Sequence, residues 1–590
     1  MNKTILRSGC WLLLFMLLFS REGSGQGYLK ADGKRIVNER GENVLLRGMG
    51  LGGWMLQEPY MLQVSGVAGT QGEIRRKVEE LVGPVKTQQF YNAWLANHTR
   101  EIDIDSMAAW GFNSVRLAMH YNLYTLPVEE EPVKGQQTWH EKGFAMTDSL
   151  LAWCKANNMY LFLDLHAAPG GQGNDNAIAD RDPNKPSLWD SRENQEKIIA
   201  LWRKLAERYA NEPWIGGYDL INEPNWGFQN ATDKNGCNEK ENAPLLQLQK
   251  AITKAIREVD KNHIVIIEGN CWGNNYAGMM PPWDSNMVLS FHKYWNYNDQ
   301  ASIQNMLAMR EQYNVPVWLG ETGENSNLWF RDAIALLERN NIGWAWWPLK
   351  KLGFNNPLEV KVNAGYQHIL DYWRGKGAKP DQDKAFSALM QLAEDTKLEN
   401  CIYHKDVVDA MFRQVKSDEV KPFRNHLVKG KATTTVYAVD YDLGRNGRAY
   451  FDKDTANYHV ATGGERTAWN HGRTYRNDGV DIMLIHDDVN NGYGVGWTEE
   501  GEWLQYTISV QKAGKYTVGL RVASEKEGQV LLQANASTVP GSITVPNTGS
   551  STAWQTIHKR NVRLKKGANT LRIKVEKGGF NLNYIQLSKS

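Results

Sequence analysis

Gly217-Tyr-Asp-Leu-Ile-Asn-Glu-Pro224 carries a short apolar run into a polar end, and the fold is read from what surrounds it. Gly217 to Ile221 reads as a buried strand, and Asn222-Glu223-Pro224 as the loop leaving it. A helical stretch, Gln195 to Tyr209, precedes this strand; another, Leu245 to Val259, follows it and leads to a strand at Ile264 to Glu268. The unit repeats outward in both directions. Earlier runs lie at Val44 to Met49, Ser114 to Ala118 and Tyr160 to Leu165, and later ones at Met287 to Phe291, Val317 to Gly320 and Gly343 to Trp347. Eight such strands alternating with helices predict an α/β chain with a closed (β/α)8 TIM barrel. With no glycine-rich phosphate loop after the first strand, an open doubly wound sheet is disfavoured.

The barrel is assigned to residues 27–428, with further helices between Pro357 and His426 completing its outer layer. Beyond Lys429 the pattern changes to short alternating strands with Gly and Asn turns, such as Gly501-Glu-Trp-Leu-Gln-Tyr-Thr-Ile-Ser. This predicts a C-terminal all-β sandwich of jelly-roll type over residues 435–589. At the other end, Lys3 and Arg7 precede an apolar run from Trp11 to Phe19 and the small residues Gly23-Ser24-Gly25, the signature of a signal peptide at residues 1–25. The run is too short for a membrane span, so a secreted or periplasmic protein is expected, as a monomer. Cys154, Cys237, Cys271 and Cys401 show no metal-ligand spacing, and export permits a Cys237–Cys271 bridge.

With 590 residues, 68 basic and 66 acidic, the chain has a net charge of +2, which leaves no electrostatic basis for a nucleic-acid partner. Its 23 Trp are more informative, because flat indoles stack on the C–H faces of sugar rings. In a (β/α)8 barrel the active site lies at the C-terminal strand ends, so the polar residues at the end of each run are the candidates. They are Arg116, His166, Asn222 with Glu223, His292 with Tyr294, Glu321 and Trp347. Glu223 and Glu321 are carboxylates on separate strands, as retaining glycosidase chemistry needs: one attacks the anomeric carbon, the other protonates the leaving oxygen and then activates water. Asn-Glu-Pro also occurs at residues 211–213, but there it follows a helix, and Glu212 reads as a solvated turn residue.

The motifs Phe112-Asn-Ser-Val-Arg-Leu, Leu163-Asp-Leu-His, Leu220-Ile-Asn-Glu-Pro, Phe291-His-Lys-Tyr, Leu319-Gly-Glu and Gly343-Trp-Ala-Trp-Trp occur in order, and the region from Tyr28 to Lys351 resembles glycoside hydrolase family 5. The resemblance implies that Glu223 is the acid/base and Glu321 the nucleophile, that Asn222 holds the sugar 2-hydroxyl, and that Tyr294 hydrogen-bonds the nucleophile. His292 would sit beside the pair, and Arg116 would favour the charged form of Glu321 while a less favourable environment keeps Glu223 protonated. His166 would face substrate. Trp347 would be the platform under the reactive sugar; Trp344 and Trp346 alternate to the opposite face.

Gly50-Leu-Gly-Gly-Trp-Met-Leu-Gln-Glu-Pro-Tyr and Asp164-Leu-His-Ala-Ala-Pro-Gly-Gly-Gln resemble the exo-β-1,3-glucanase branch of that family, which implies a contact from Glu58 to a terminal glucose. A β-1,3-glucan is therefore the favoured partner, with an endo-β-1,4-glucanase or β-mannanase as the alternative and an inactive glycan receptor as the remaining reading. The loops at Trp295-Asn-Tyr-Asn-Asp and Thr322-Gly-Glu-Asn-Ser-Asn depart from the branch. The segment from Val436 to Leu587 resembles carbohydrate-binding module family 6, which implies a sugar held by Trp497 and Trp554 with Asn581 or Asn583. The chemistry needs no cofactor. That family's opening segment usually carries a Glu where this chain has Val439, so a structural calcium ion would rest on Asp440.

Overall fold

The computed structural model describes residues 27–230, 232–430, 432–457 and 469–590, so the expected signal peptide lies outside the described residues. Eight parallel strands close into a barrel in chain order: β1 (Arg47–Gly50), β2 (Ser114–His120), β3 (Tyr160–Ala167), β4 (Ile215–Asp219), β5 (Ile264–Glu268), β6 (Met287–Lys293), β7 (Val317–Gly323) and β8 (Gly343–Trp347). Closure is made by Trp344 to Trp346 of β8 pairing with Arg47 to Met49 of β1.

The helix Arg192–Tyr209 shows how local sequence builds the outer ring. Ser191 caps it by accepting the Asn194 N–H, and Ile198, Leu201, Trp202 and Leu205 form a buried stripe at helical spacing. The Trp202 indole then donates to Leu220 O, which ties the helix to the exit of β4. Inside the barrel, period-two alternation along β3 stacks one layer on another. Phe162 stacks on Trp318; Asp164 in the next layer meets Arg116; His166 in the top layer lies flat against Trp347. The barrel therefore passes from an apolar floor to a charged mouth.

Trp344 and Trp346 point outward, against Phe112 and Phe330 respectively. After the barrel, helices form as expected at Ala364–Trp373, Gln382–Asp395 and Lys405–Lys416. The first two join Gln71–Val82 and Pro84–Asn97 in a separate apolar cluster, while Phe412 of the third packs on Phe112.

The C-terminal unit is a sandwich of two sheets built mainly from antiparallel pairs. Trp503–Val510 alternates strictly between buried and more exposed positions, with Leu504, Tyr506, Ile508 and Val510 turned inward. The boundary at 428/435 needs correction. His426–Val428 pairs in parallel with Ile508–Val510, and Val428 is fully buried in the sandwich core. Three residues are too few for alternation to declare a strand, which is why the sequence pattern placed them with the barrel. No helix among the described residues is long and apolar enough to cross a membrane.

Replacing Trp346 by Ala should empty a site enclosed by Phe330 and Trp344 and lower stability by about 3–5 kcal/mol, measured by urea unfolding.

Candidate active site

Arg116 is buried at 1% exposure and organises the barrel mouth. Its Nη1 lies 2.9 Å from Glu321 Oε2 and 3.1 Å from Asp164 Oδ2. Its Nε and Nη2 donate to Asp219 Oδ2 at 3.0 and 2.9 Å, and Nη2 also reaches Asn222 Oδ1 at 2.8 Å and Glu268 Oε1 at 3.1 Å. A planar fork of donors suits this convergence of carboxylates. Tyr294 donates its hydroxyl to the other Glu321 oxygen at 2.7 Å, so both oxygens of that carboxylate are held in direction.

Glu223 sits at the exit of β4 with a left-handed φ of 45°, a strained geometry for a residue with a Cβ. Its N–H donates to Glu268 Oε2 at 2.7 Å, which helps fix that geometry. His292 Nδ1 lies 2.6 Å from Glu223 Oε1, and its Nε2 lies 3.1 Å from Glu268 Oε1. One carboxylate oxygen each of Glu223 and Glu321 and a ring nitrogen of His292 lie within 4.8 Å of one another. Burial, opposed by His292 and reinforced by Glu321 and Glu268, pushes the Glu223 carboxyl up to about 7. Burial works against charge on His292, but Glu268, Glu223 and Glu321 hold its imidazole well above the usual range. Burial tends to raise Glu268 as well, yet His292, Arg116 and the Glu223 N–H leave it below the ordinary carboxyl value.

The remaining barrel candidates converge on the same mouth. Asn222 Oδ1 is taken by Arg116, and its Nδ2 lies 3.4 Å from His166 Nε2. His166 is buried, with Nδ1 2.8 Å from Asp164 Oδ2 and its ring stacked on Trp347 at 4.8 Å and 7°. Trp347 donates its indole N–H to the Tyr60 hydroxyl at 3.1 Å. Glycine is required beside this ring: a Cβ at Gly50 or Gly52 would come within 2.5 or 2.6 Å of Trp347 atoms. Glu58 precedes the short helix Pro59–Leu62 without capping it. It is buried, and burial followed by the charges of Glu321, Glu324 and Glu223 raises its carboxyl well above the usual range.

Glu212 lies before β4, at the opposite end of the barrel, where it pairs with Lys155. The bridge that export would permit, which the sequence left open, is present: Cys237 and Cys271 form a disulfide tying the loop after β4 to the one after β5. Glu268, Asp164 and Asp219 enter the site without having been singled out in the sequence. Glu268 closes the β5 run, so the strand-end rule reaches it. Asp164 lies within β3, and Asp219, the last residue of β4, falls inside the longer run Gly217 to Ile221 read from the sequence, so only the barrel's inward geometry exposes their part.

In the sandwich, Trp497 is 47% exposed and stacks on His471. Trp554 is half-buried, with its indole N–H donated to His486 O. Asn581 Nδ2 donates to Ser551 O, in the loop that carries Trp554. Asn583 differs from Asn581 in being fully buried, with its amide N–H groups donated to Asp487 Oδ2 and Val489 O. Asp440 Oδ1 accepts from Arg424 and Tyr475. A calcium ion there would have to displace a guanidinium, so these residues do not fit one.

A closed barrel with two carboxylates facing each other across its C-terminal mouth, joined to a β-sandwich, defines a glycoside hydrolase with an appended glycan-binding unit. Residues 78–353 match cellulase (glycosyl hydrolase family 5), and residues 472–589 match carbohydrate binding module (family 6). The barrel thus belongs to glycosyl hydrolase family 5 and the sandwich to carbohydrate binding module family 6. The chain is 25% identical over 380 residues to a beta-xylosidase of Phanerodontia chrysosporium, covering 58% of this chain and 75% of that protein. It is 25% identical over 316 residues to Endoglucanase C of Acetivibrio thermocellus, covering 43% and 84%. It is 26% identical over 277 residues to a glucan 1,3-beta-glucosidase of Blumeria graminis, covering 45% and 58%.

Arg116→Ala would leave buried carboxylates without their shared cation. It should cost about 3–5 kcal/mol of stability, seen as a lower urea midpoint of barrel unfolding.

Proposed function

We propose that this protein is an exported, monomeric, retaining β-glycoside hydrolase that acts on a β-glucan, with β-1,3-glucan favoured, and that its sandwich binds glycan. The observation that carries the proposal is the pair Glu223 and Glu321, with oxygens within 4.8 Å. Retaining enzymes hold their carboxyl groups about 5–5.5 Å apart, whereas inverting ones leave about 6.5–9.5 Å for a water molecule. The two environments divide the labour. Glu321 is directed by Arg116 and Tyr294, and Glu223 keeps its proton near neutrality.

In the first step a Glu321 oxygen attacks the anomeric carbon as the glycosidic C–O bond breaks, and Glu223 gives its proton to the departing oxygen. In the second, Glu223 takes a proton from water, whose oxygen displaces Glu321 and restores both carboxyls with net retention. Because Asn222 Oδ1 is committed to Arg116, its Nδ2 is the group left for the sugar 2-hydroxyl. Trp347, buried at the mouth with His166 stacked on it, is the proposed platform under the reactive sugar, and the buried Glu58, whose carboxyl feels Glu321 and Glu223, supports an exo-type subsite. In the sandwich, Trp497, Trp554 and Asn581 are the proposed glycan contacts.

A second reading, an endo-β-1,4-glucanase, draws support from the endoglucanase relative of which the chain covers 84%. Product sizes from laminarin, cellulose, lichenan and mannan separate the two: glucose released from laminarin ends supports the first, and internal cleavage of cellulose the second. Glu223→Gln should reduce hydrolysis of polymer by about 10²–10⁴-fold, as loss of a general acid does. Glu321→Ala should abolish turnover on the whole panel, and turnover surviving in that variant would reject the assignment. Glu223 must be protonated to act, and it loses its proton as pH rises through about 7. The basic limb of kcat/KM should therefore fall near pH 7, measured on a soluble aryl β-glycoside.

A further inference from the structure

The sandwich touches the barrel beside the catalytic nucleophile, through buried groups. Asn477, fully buried, uses its amide Nδ2 to reach Asn325 O at 2.9 Å and Asn327 Oδ1 at 3.0 Å. Its backbone N–H donates to Asp406 Oδ2 at 2.8 Å, and its carbonyl accepts from the Asn327 N–H at 2.9 Å. Asp406 Oδ2 also takes the Asn327 side chain at 2.8 Å. One residue further back, Ser326 Oγ donates to Ala456 O of the sandwich at 2.6 Å. The segment 325–327 begins four residues after Glu321, and each of its three residues hydrogen-bonds to the other domain.

An aromatic contact lies alongside. Trp469 of the sandwich, anchored by its indole N–H on Asn477 Oδ1 at 3.0 Å, packs with Ala456 against Trp295 and Phe354 of the barrel. Trp295 directly follows Tyr294, the residue that hydrogen-bonds Glu321, and its own indole N–H donates to Glu324 O at 3.0 Å. Both Trp295 and Glu324 have a left-handed φ, 52° and 56°, which surrounding contacts must maintain. Glu324 in turn pairs with Lys351 at 2.6 Å, and Lys351 lies over the Tyr60 ring that bonds Trp347. A continuous set of contacts thus runs from the sandwich to both walls flanking Glu321.

We infer that the sandwich is a working part of the barrel's cleft: Asn477 and Trp469 are positioning residues that hold Trp295 and residues 324–327 in the shape that accepts a glycan chain beside Glu321. This rests on the glycosidase reading above and goes beyond it, because a module that only tethers the enzyme to polymer would leave hydrolysis of a small soluble substrate untouched. The departures of both loops from the branch pattern then have a physical reason, since their side chains answer to a partner domain as well as to sugar.

The test uses the full chain, with Asn477→Ala, Trp469→Ala and Trp469→Phe, and a soluble 4-nitrophenyl β-glucoside or β-cellobioside as substrate. Small displacements of substrate-positioning groups cost up to about 100-fold, so the two alanine variants should lose about tenfold in kcat/KM, carried by KM, with Trp469→Phe recovering most of it. Amide exchange of residues 294–298 and 324–327 should also quicken in the alanine variants, a readout that needs no turnover. Wild-type kcat and KM on the soluble substrate, or unchanged exchange in these segments, would overturn the inference. If Asn477→Ala does not fold, the Trp469 pair decides it. If wild type hydrolyses no β-glycoside, the functional reading fails while exchange still reports whether the sandwich holds the loops.

Discussion

One guanidinium holds the mouth of the barrel together. Arg116 on β2 gathers carboxylates from β3, β4, β5 and β7, namely Asp164, Asp219, Glu268 and Glu321. Taking these charges out of water is costly, and the cost is offset only because each donor of a rigid fork finds an oxygen. The arrangement of the candidate site follows from it. Glu321 is aimed by Nη1, and Glu268, placed by Nη2, passes the organisation on to His292 and to the Glu223 N–H. Arg116 and His292 together face five carboxyls, Asp164, Asp219, Glu223, Glu268 and Glu321. Asp219 is pushed well above its usual range by burial and Glu268, against Arg116, and Glu223 rises to about 7. Burial is the main cause of the raised Glu223 carboxyl, and the neighbouring Glu321 and Glu268 add to it, which suits the acid role proposed for Glu223.

Above that charged layer the site is shaped by packing. Trp347 can lie against β1 because residues 50 and 52 lack side chains, and it is fixed by Tyr60 on one edge and His166 on its face. The far wall depends on Trp295 and Glu324, whose strained backbones are buttressed from the sandwich side through Trp469 and Asn477. A two-domain chain has in effect one cleft, with its floor set by barrel electrostatics and one wall set by an interdomain contact.

Much of this was legible before any coordinates. Strand–helix alternation identifies the barrel because its strands are buried on both faces and read as uninterrupted apolar runs. The polar residue that ends each run then falls at the C-terminal mouth, which is why Glu223, His292, Glu321 and Trp347 could be named, and why the look-alike Glu212, following a helix, could be set aside. Alternation likewise put Trp347 on the face opposite Trp344 and Trp346, and the family resemblance chose Trp347 as the inward one. Alternation failed at the short strand His426–Val428, where the run is too brief to carry a period, and it does not separate Asn581 from Asn583, which share a strand while the Asp487–Val489 loop covers the second.

By itself, then, the sequence determined the barrel, the sandwich and the two facing glutamates, because these rest on local periodicity and on where a strand ends. The tertiary structure alone decided that Asp164, Asp219 and Glu268 share one arginine with Glu321, that Gly50 makes room for Trp347, and that Asn477 reaches across to the loop behind Glu321. Each of these joins residues far apart in the chain through distance and direction, quantities that exist only once the strands have closed and the two domains have met.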